Sequence, residues 1–67
     1  MELKINGTQK TFTDEILTVT QLLEQLNLSV DQVVVELNRD ILAPGVLSTT
    51  GLNNGDELEL IQFVGGG

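Results

Sequence analysis

One short segment of this chain can form an amphipathic helix, and the rest must supply the surface that covers it. Val19, Leu22, Leu23 and Leu26 fall at i, i+3, i+4 and i+7, a single apolar stripe along one helical face. Thr18 and Gln21 make a Thr-x-x-Gln capping box at its start, which satisfies N–H groups that have no partner within the helix. Leu17 and Leu22 are spaced as a hydrophobic staple across the same end. Asn27 is placed to stop the helix, because Asn tolerates the left-handed conformation common just past a helix end. Gln21, Glu24 and Gln25 lie off the stripe and are expected to face water. In a chain of 67 residues the stripe is better explained as core than as a groove for a partner.

The flanking segments read as strands. Leu3 and Ile5 alternate with Glu2, Lys4 and Asn6, the period of a half-buried strand. Asn6-Gly7 suits a type I′ hairpin turn, since both residues accept positive φ. A two-residue turn there places Ile5 opposite Thr8 and Met1 opposite Phe12. Met1, Leu3, Ile5 and Phe12 then share the core face, with Lys10 adding only its aliphatic stem. After the helix, residues 33–37 are rich in β-branched side chains: Val33, Val35 and Leu37 share one face, Val34 and Glu36 the other. Asn38-Arg39-Asp40 is turn chemistry leading to a short strand at Ile41 and Leu42, which Pro44-Gly45 breaks. Residues 46–51 read as irregular, with room for a helical turn and a brief edge strand. Asn53-Asn54-Gly55-Asp56 is the clearest turn of the chain. One helix with one apolar face beside several strands makes a two-layer α+β domain: a mixed sheet of four to five strands crossed by one helix.

The last strand, residues 57–64, carries the functional signal. Leu58 and Leu60 alternate with Glu57 and Glu59, so the leucines face the core. The same phase points Gln62 inward and Ile61 and Phe63 outward. A β-bulge near residue 61 would swap the faces and bury them. Without it, Ile61, Phe63 and Val64 form an exposed apolar patch, the arrangement a docking surface needs and the one favoured here. Glu57 and Glu59 would pair with basic residues at its rim. Gly65, Gly66 and Gly67 follow, and three successive glycines hold neither helix nor strand. The expected organisation is a folded unit over residues 1–64 and a flexible glycine tail over 65–67.

Composition removes most other chemistry. With no Cys and no His, the chain has no thiolate nucleophile or disulfide, lacks zinc–thiolate ligands and has no imidazole base. No catalytic constellation or phosphate-cradling loop is present. Asp31, Glu36 and Asp40 could be imagined around magnesium, but solvated surface charge explains them better, and no metal site is expected. Ten acidic residues against three basic give a net charge of −7, which disfavours nucleic acid and anionic membranes and suits a basic protein partner. No apolar run approaches the roughly 20 residues that span a bilayer, and residues 1–4 lack a secretory signal, so a cytoplasmic location is expected. The remaining reactive group is the α-carboxylate of Gly67, ionised at neutral pH and inert until another protein activates it.

The whole chain resembles the small ubiquitin-like sulfur carriers of thiamine (thiazole) biosynthesis, the ThiS family. The likeness rests on the opening strand with its Asn-Gly turn, the helix over residues 18–26, the Asn54-Gly55-Asp56 turn and the end Phe63-Val64-Gly65-Gly66-Gly67. Gly66 and Gly67 match the family's Gly-Gly end; Gly65 is one glycine more. The resemblance implies a β-grasp fold with the first and last strands adjacent and parallel at the sheet centre. It also implies a carrier, not an enzyme, monomeric when free and binding no cofactor stably. An E1-like adenylyltransferase would use ATP and magnesium to adenylate Gly67. A cysteine desulfurase relay would supply sulfur to make a thiocarboxylate, and thiazole synthase would consume it. Three other readings stay open at this point. The small sulfur-carrier subunit of molybdopterin synthase shares the fold and the glycine end, although those chains tend to be longer and often carry prolines before the tail. A ubiquitin-like modifier would use the same activation with lysines as acceptors. A plain binding module would make the glycines incidental.

Overall fold

The computed structural model describes residues 1–13, 15–16 and 18–63. The hydrophobic staple through Leu17, and every expectation on Val64, Gly65, Gly66 and Gly67, lie outside the described residues.

Strand β1 (Glu2–Ile5) buries Leu3 and Ile5 and turns back through Asn6-Gly7 into β2 (Thr8–Thr11). Asn6 and Gly7 adopt φ of 50° and 81°, as a type I′ turn demands. Ile5 pairs with Thr8 and Glu2 with Thr11. Hydrogen bonds in both directions between the main chains of Met1 and Phe12 close the far end. Met1 and Phe12 pack against the core, whereas Lys10, expected to lend its stem, is exposed along with the rest of β2.

Helix α1 (Val19–Gln25) begins as the sequence predicts. Thr18 Oγ1 accepts from the Gln21 N–H, and Gln21 Oε1 accepts from the Thr18 N–H. The two donors before Gln21 are satisfied from outside: Val19 N–H reaches the Thr50 carbonyl at 3.1 Å and Thr20 N–H the Leu47 carbonyl at 3.3 Å. The irregular segment after residue 43 therefore serves as a second cap on the helix. Asn27, at φ 58°, ends it. The Leu28 N–H returns to Leu23 O and the Asn27 N–H to Glu24 O, the paired bonds of a Schellman motif. Val19, Leu22 and Leu23 are fully buried and Leu26 half-buried, so the stripe is core.

A 3₁₀ turn (Val30–Gln32) leads into β3 (Val33–Leu37), which returns through Asn38-Arg39 into β4 (Asp40–Leu42). Asn38 and Arg39, at φ 48° and 75°, form the second type I′ turn. Pro44–Val46 makes another 3₁₀ turn, and Gly51 bridges Thr18 in antiparallel fashion. The Asn53–Asp56 turn feeds β5 (Glu57–Gln62). The five strands form one mixed sheet in the order β2-β1-β5-β3-β4. Strand β5 is central, parallel to β1 and antiparallel to β3. The core comprises Leu3, Ile5, Val33, Val35, Leu58 and Leu60 from the sheet, the helix stripe, and Ile16, Leu47 and Leu52 from segments with no regular period.

Candidate functional site

The site is built on β5, whose two faces differ. One-to-one pairing with β3 runs from Leu37–Leu58 to Val33–Gln62 without interruption, so the strand contains no bulge. Leu58 and Leu60 are buried, while Ile61 is 54% and Phe63 48% exposed. This is the exposed-patch arrangement. Gln62 holds a core-side phase but is exposed, because the buried positions of the strand end at Leu60. Beyond β5, the Phe63 N–H still donates to Gln32 O at 3.1 Å, carrying the pairing with the β3 side up to the last described residue.

The outer face extends past the residues first assigned to it. Val34 lies directly opposite Ile61, and Glu36 lies opposite Glu59 on one side and Ile41 on the other. Val34 and Ile41 are exposed, Ile41 to 72%, so the apolar surface spans β5, β3 and β4. The alternation in β3 placed Val34 on this face; only the strand pairing shows that it adjoins Ile61. Glu59 is exposed and faces Glu36, a like-charge cross-strand pair that weakens the sheet slightly. Glu57 is half-buried. Its carboxylate is 3.6 Å from Lys4 Nζ, in an exposed pair that adds little stability. Asp31 precedes β3, Glu36 lies within it and Asp40 opens β4; no three carboxylates among the described residues come close enough to hold a metal ion.

Two asparagines, both at the first position of a type I′ turn, grip β5. Asn38 accepts from the Glu57 N–H through Oδ1 and donates through Nδ2 to the Asp56 carboxylate, both at 3.0 Å. Asn6 accepts from the Leu60 N–H through Oδ1 at 2.7 Å and donates through Nδ2 to the Leu60 carbonyl at 3.2 Å. The sequence marked both residues as turn formers; that their side chains reach β5 depends on a sheet order no local pattern encodes.

Fold and face together define a β-grasp domain of the ubiquitin-like kind, with its central strand leading from an exposed patch toward the glycine end. The ThiS family profile matches residues 3–67. The chain belongs to the ThiS family, whose members are sulfur carriers of thiamine biosynthesis. It is similar to the thiamine biosynthesis protein ThiS of Geobacter metallireducens, whose crystal structure superposes with a TM-score of 0.85 at 36% identity and full coverage of both chains. The solution structure of a thiamine biosynthesis protein from the same organism gives 0.83, again at 36% identity, covering all of this chain and 88% of the other. A thiazole synthase of Paramagnetospirillum magneticum is 37% identical over all 67 residues, and the chain spans 20% of that protein's length.

Proposed function

We propose that this chain carries sulfur for the thiazole moiety of thiamine on the carboxyl group of Gly67. The observation that carries the reading is the ThiS match along residues 3–67, which includes the glycine end as well as the fold. The thiazole synthase name of the longer relative supports a thiazole acceptor.

The chemistry is supplied by partners. An E1-like adenylyltransferase, using ATP and magnesium, lets the Gly67 carboxylate attack the α-phosphorus, and pyrophosphate leaves. The outer sulfur of a persulfide on a cysteine desulfurase relay attacks the acyl carbon, and AMP departs with one former carboxylate oxygen. A thiol of the relay then reduces the resulting acyl disulfide, forming a protein disulfide and leaving the thiocarboxylate for thiazole synthase. Gly65, Gly66 and Gly67 suit such transfers because, without side chains, they enter narrow clefts and adopt whatever φ each imposes. Ordering that tail opposes binding. Contacts from Ile61, Phe63 and Val64, with Glu59 and to a lesser degree Glu57 at the rim, offset it. A cytoplasmic location alongside its partner enzymes is part of the same proposal.

Intact mass spectrometry after incubation with ATP, magnesium, the adenylyltransferase and a cysteine-derived sulfur source tests the reading. An oxygen-for-sulfur mass increase that maps to Gly67, and is absent when Gly66 and Gly67 are deleted, is expected. No change in the full chain, or adducts on lysines of other proteins, would overturn it.

A further inference from the structure

We infer that Asn6 is a positioning residue for the activation of Gly67, an inference that rests on the carrier reading. The parallel ladder between β1 and β5 is short, pairing only Lys4 with Glu57 and Ile5 with Leu58. The Asn6 N–H adds a bond to Leu58 O at 2.9 Å, and there the main chain turns away into β2. The β1-facing edge of the sheet's central strand would then be open from Leu60 onward. Asn6 closes the next rung with its side chain: Oδ1 and Nδ2 engage both the N–H and the C=O of Leu60, in a partly buried setting. An amide group has the donor and acceptor of a peptide unit, so the side chain replaces one residue of a missing strand. On the other edge, β3 holds Ile61 and Gln62, and Gln32 holds Phe63. Among the described residues Asn6 is thus the last grip on the β1 side of β5, and by holding Leu60 it fixes the course of the strand that carries the exposed patch and precedes Gly67 in sequence.

Asn38 provides an internal comparison. It sits at the same turn position with nearly the same φ and likewise accepts from a β5 N–H, but that of Glu57 at the opposite end of the strand, and its Nδ2 donates to the Asp56 carboxylate instead of a main-chain carbonyl. Gly at either site removes the side-chain bonds and keeps the positive φ free of strain. Asn6→Gly and Asn38→Gly are therefore matched losses that differ in distance from the tail.

The test measures adenylation of the carrier by the adenylyltransferase with the carrier as the varied substrate, at a temperature below both melting transitions. A variant that is merely less folded dilutes the active carrier, which raises the apparent KM and leaves kcat unchanged. A misdirected tail docks through the intact patch but presents its carboxylate poorly, which lowers kcat. Asn6→Gly is expected to lower kcat about tenfold, short of the roughly 10²-fold that a 1 Å misplacement can produce. Asn38→Gly is expected to keep kcat within about twofold, well inside that range. Asn6→Asp, which retains the acceptor for the Leu60 N–H, should recover part of the loss. Wild-type kcat for Asn6→Gly, or an equal loss for Asn38→Gly, would overturn the inference. Failure of the wild-type chain to be adenylated would instead remove the carrier reading on which it rests.

Discussion

At the scale of single residues, Phe63 separates a grip from a core. About half of its surface is exposed just beyond β5, whereas Leu58, on the core face of β5, is fully buried. Replacing an exposed side chain usually changes stability by no more than about 0.5 kcal/mol. Phe63→Asp should accordingly melt within a few degrees of wild type, yet weaken binding to the adenylyltransferase about tenfold or more, as loss of an aromatic anchor worth more than about 1 kcal/mol would. Leu58→Ala should cost about 2–5 kcal/mol through its cavity and lower the melting temperature sharply. Paired thermal melts and binding titrations check both; a melt for Phe63→Asp as low as that of Leu58→Ala would make Phe63 a core residue. The exposure of Ile61 and Phe63 was legible from the phase of the strand, up to the choice between patch and bulge. The structure resolves that choice by its uninterrupted register. The pairing of Glu57 with Lys4 was not legible, because the two are 53 residues apart in sequence and adjacent only across the parallel β1–β5 pair.

At the scale of elements, the helix start makes a graded prediction. Losing a Thr cap costs about 0.5–2 kcal/mol. Here Thr18→Ala removes one acceptor, while the donors of Val19 and Thr20 keep the carbonyls of Thr50 and Leu47. The loss should fall in the lower half of that range. At about 4–8 °C per kcal/mol for a domain this small, the melting temperature drops by several degrees with helical circular dichroism retained. A loss well above 2 kcal/mol would show that the cap and the covering segment release together. The helix start and stop and both type I′ turns were readable because each is local chemistry. Ile16, Leu47 and Leu52 were not. They reach the core from segments with no repeating period, and what buries them is the return of residues 44–52 over the helix N-terminus.

At the scale of the whole molecule, nothing local in residues 2–5 or 57–62 states that they pair in parallel at the sheet centre; that expectation came with the family resemblance, and the structure bears it out. Net charge is the other property that belongs to no single element, and it makes opposite demands on folding and docking. A charge of −7 is spread over a body whose extents are 35 × 23 × 22 Å. At about 0.01 M salt the screening length is roughly 30 Å, so nearly every carboxylate feels every other; at 0.15 M it is about 8 Å, and only neighbours such as Glu36 and Glu59 still interact. Self-repulsion destabilises the compact state, so adding sodium chloride over this range should raise the melting temperature. If the proposed adenylyltransferase presents a basic surface, the same charge would steer the carrier toward it, and the association rate should fall over the same range. Thermal melts and stopped-flow association on matched samples read both. A partner face without positive charge would leave the rate flat while the melting temperature still rose. The opposed signs therefore test the complementarity of the interface separately from the stability of the domain.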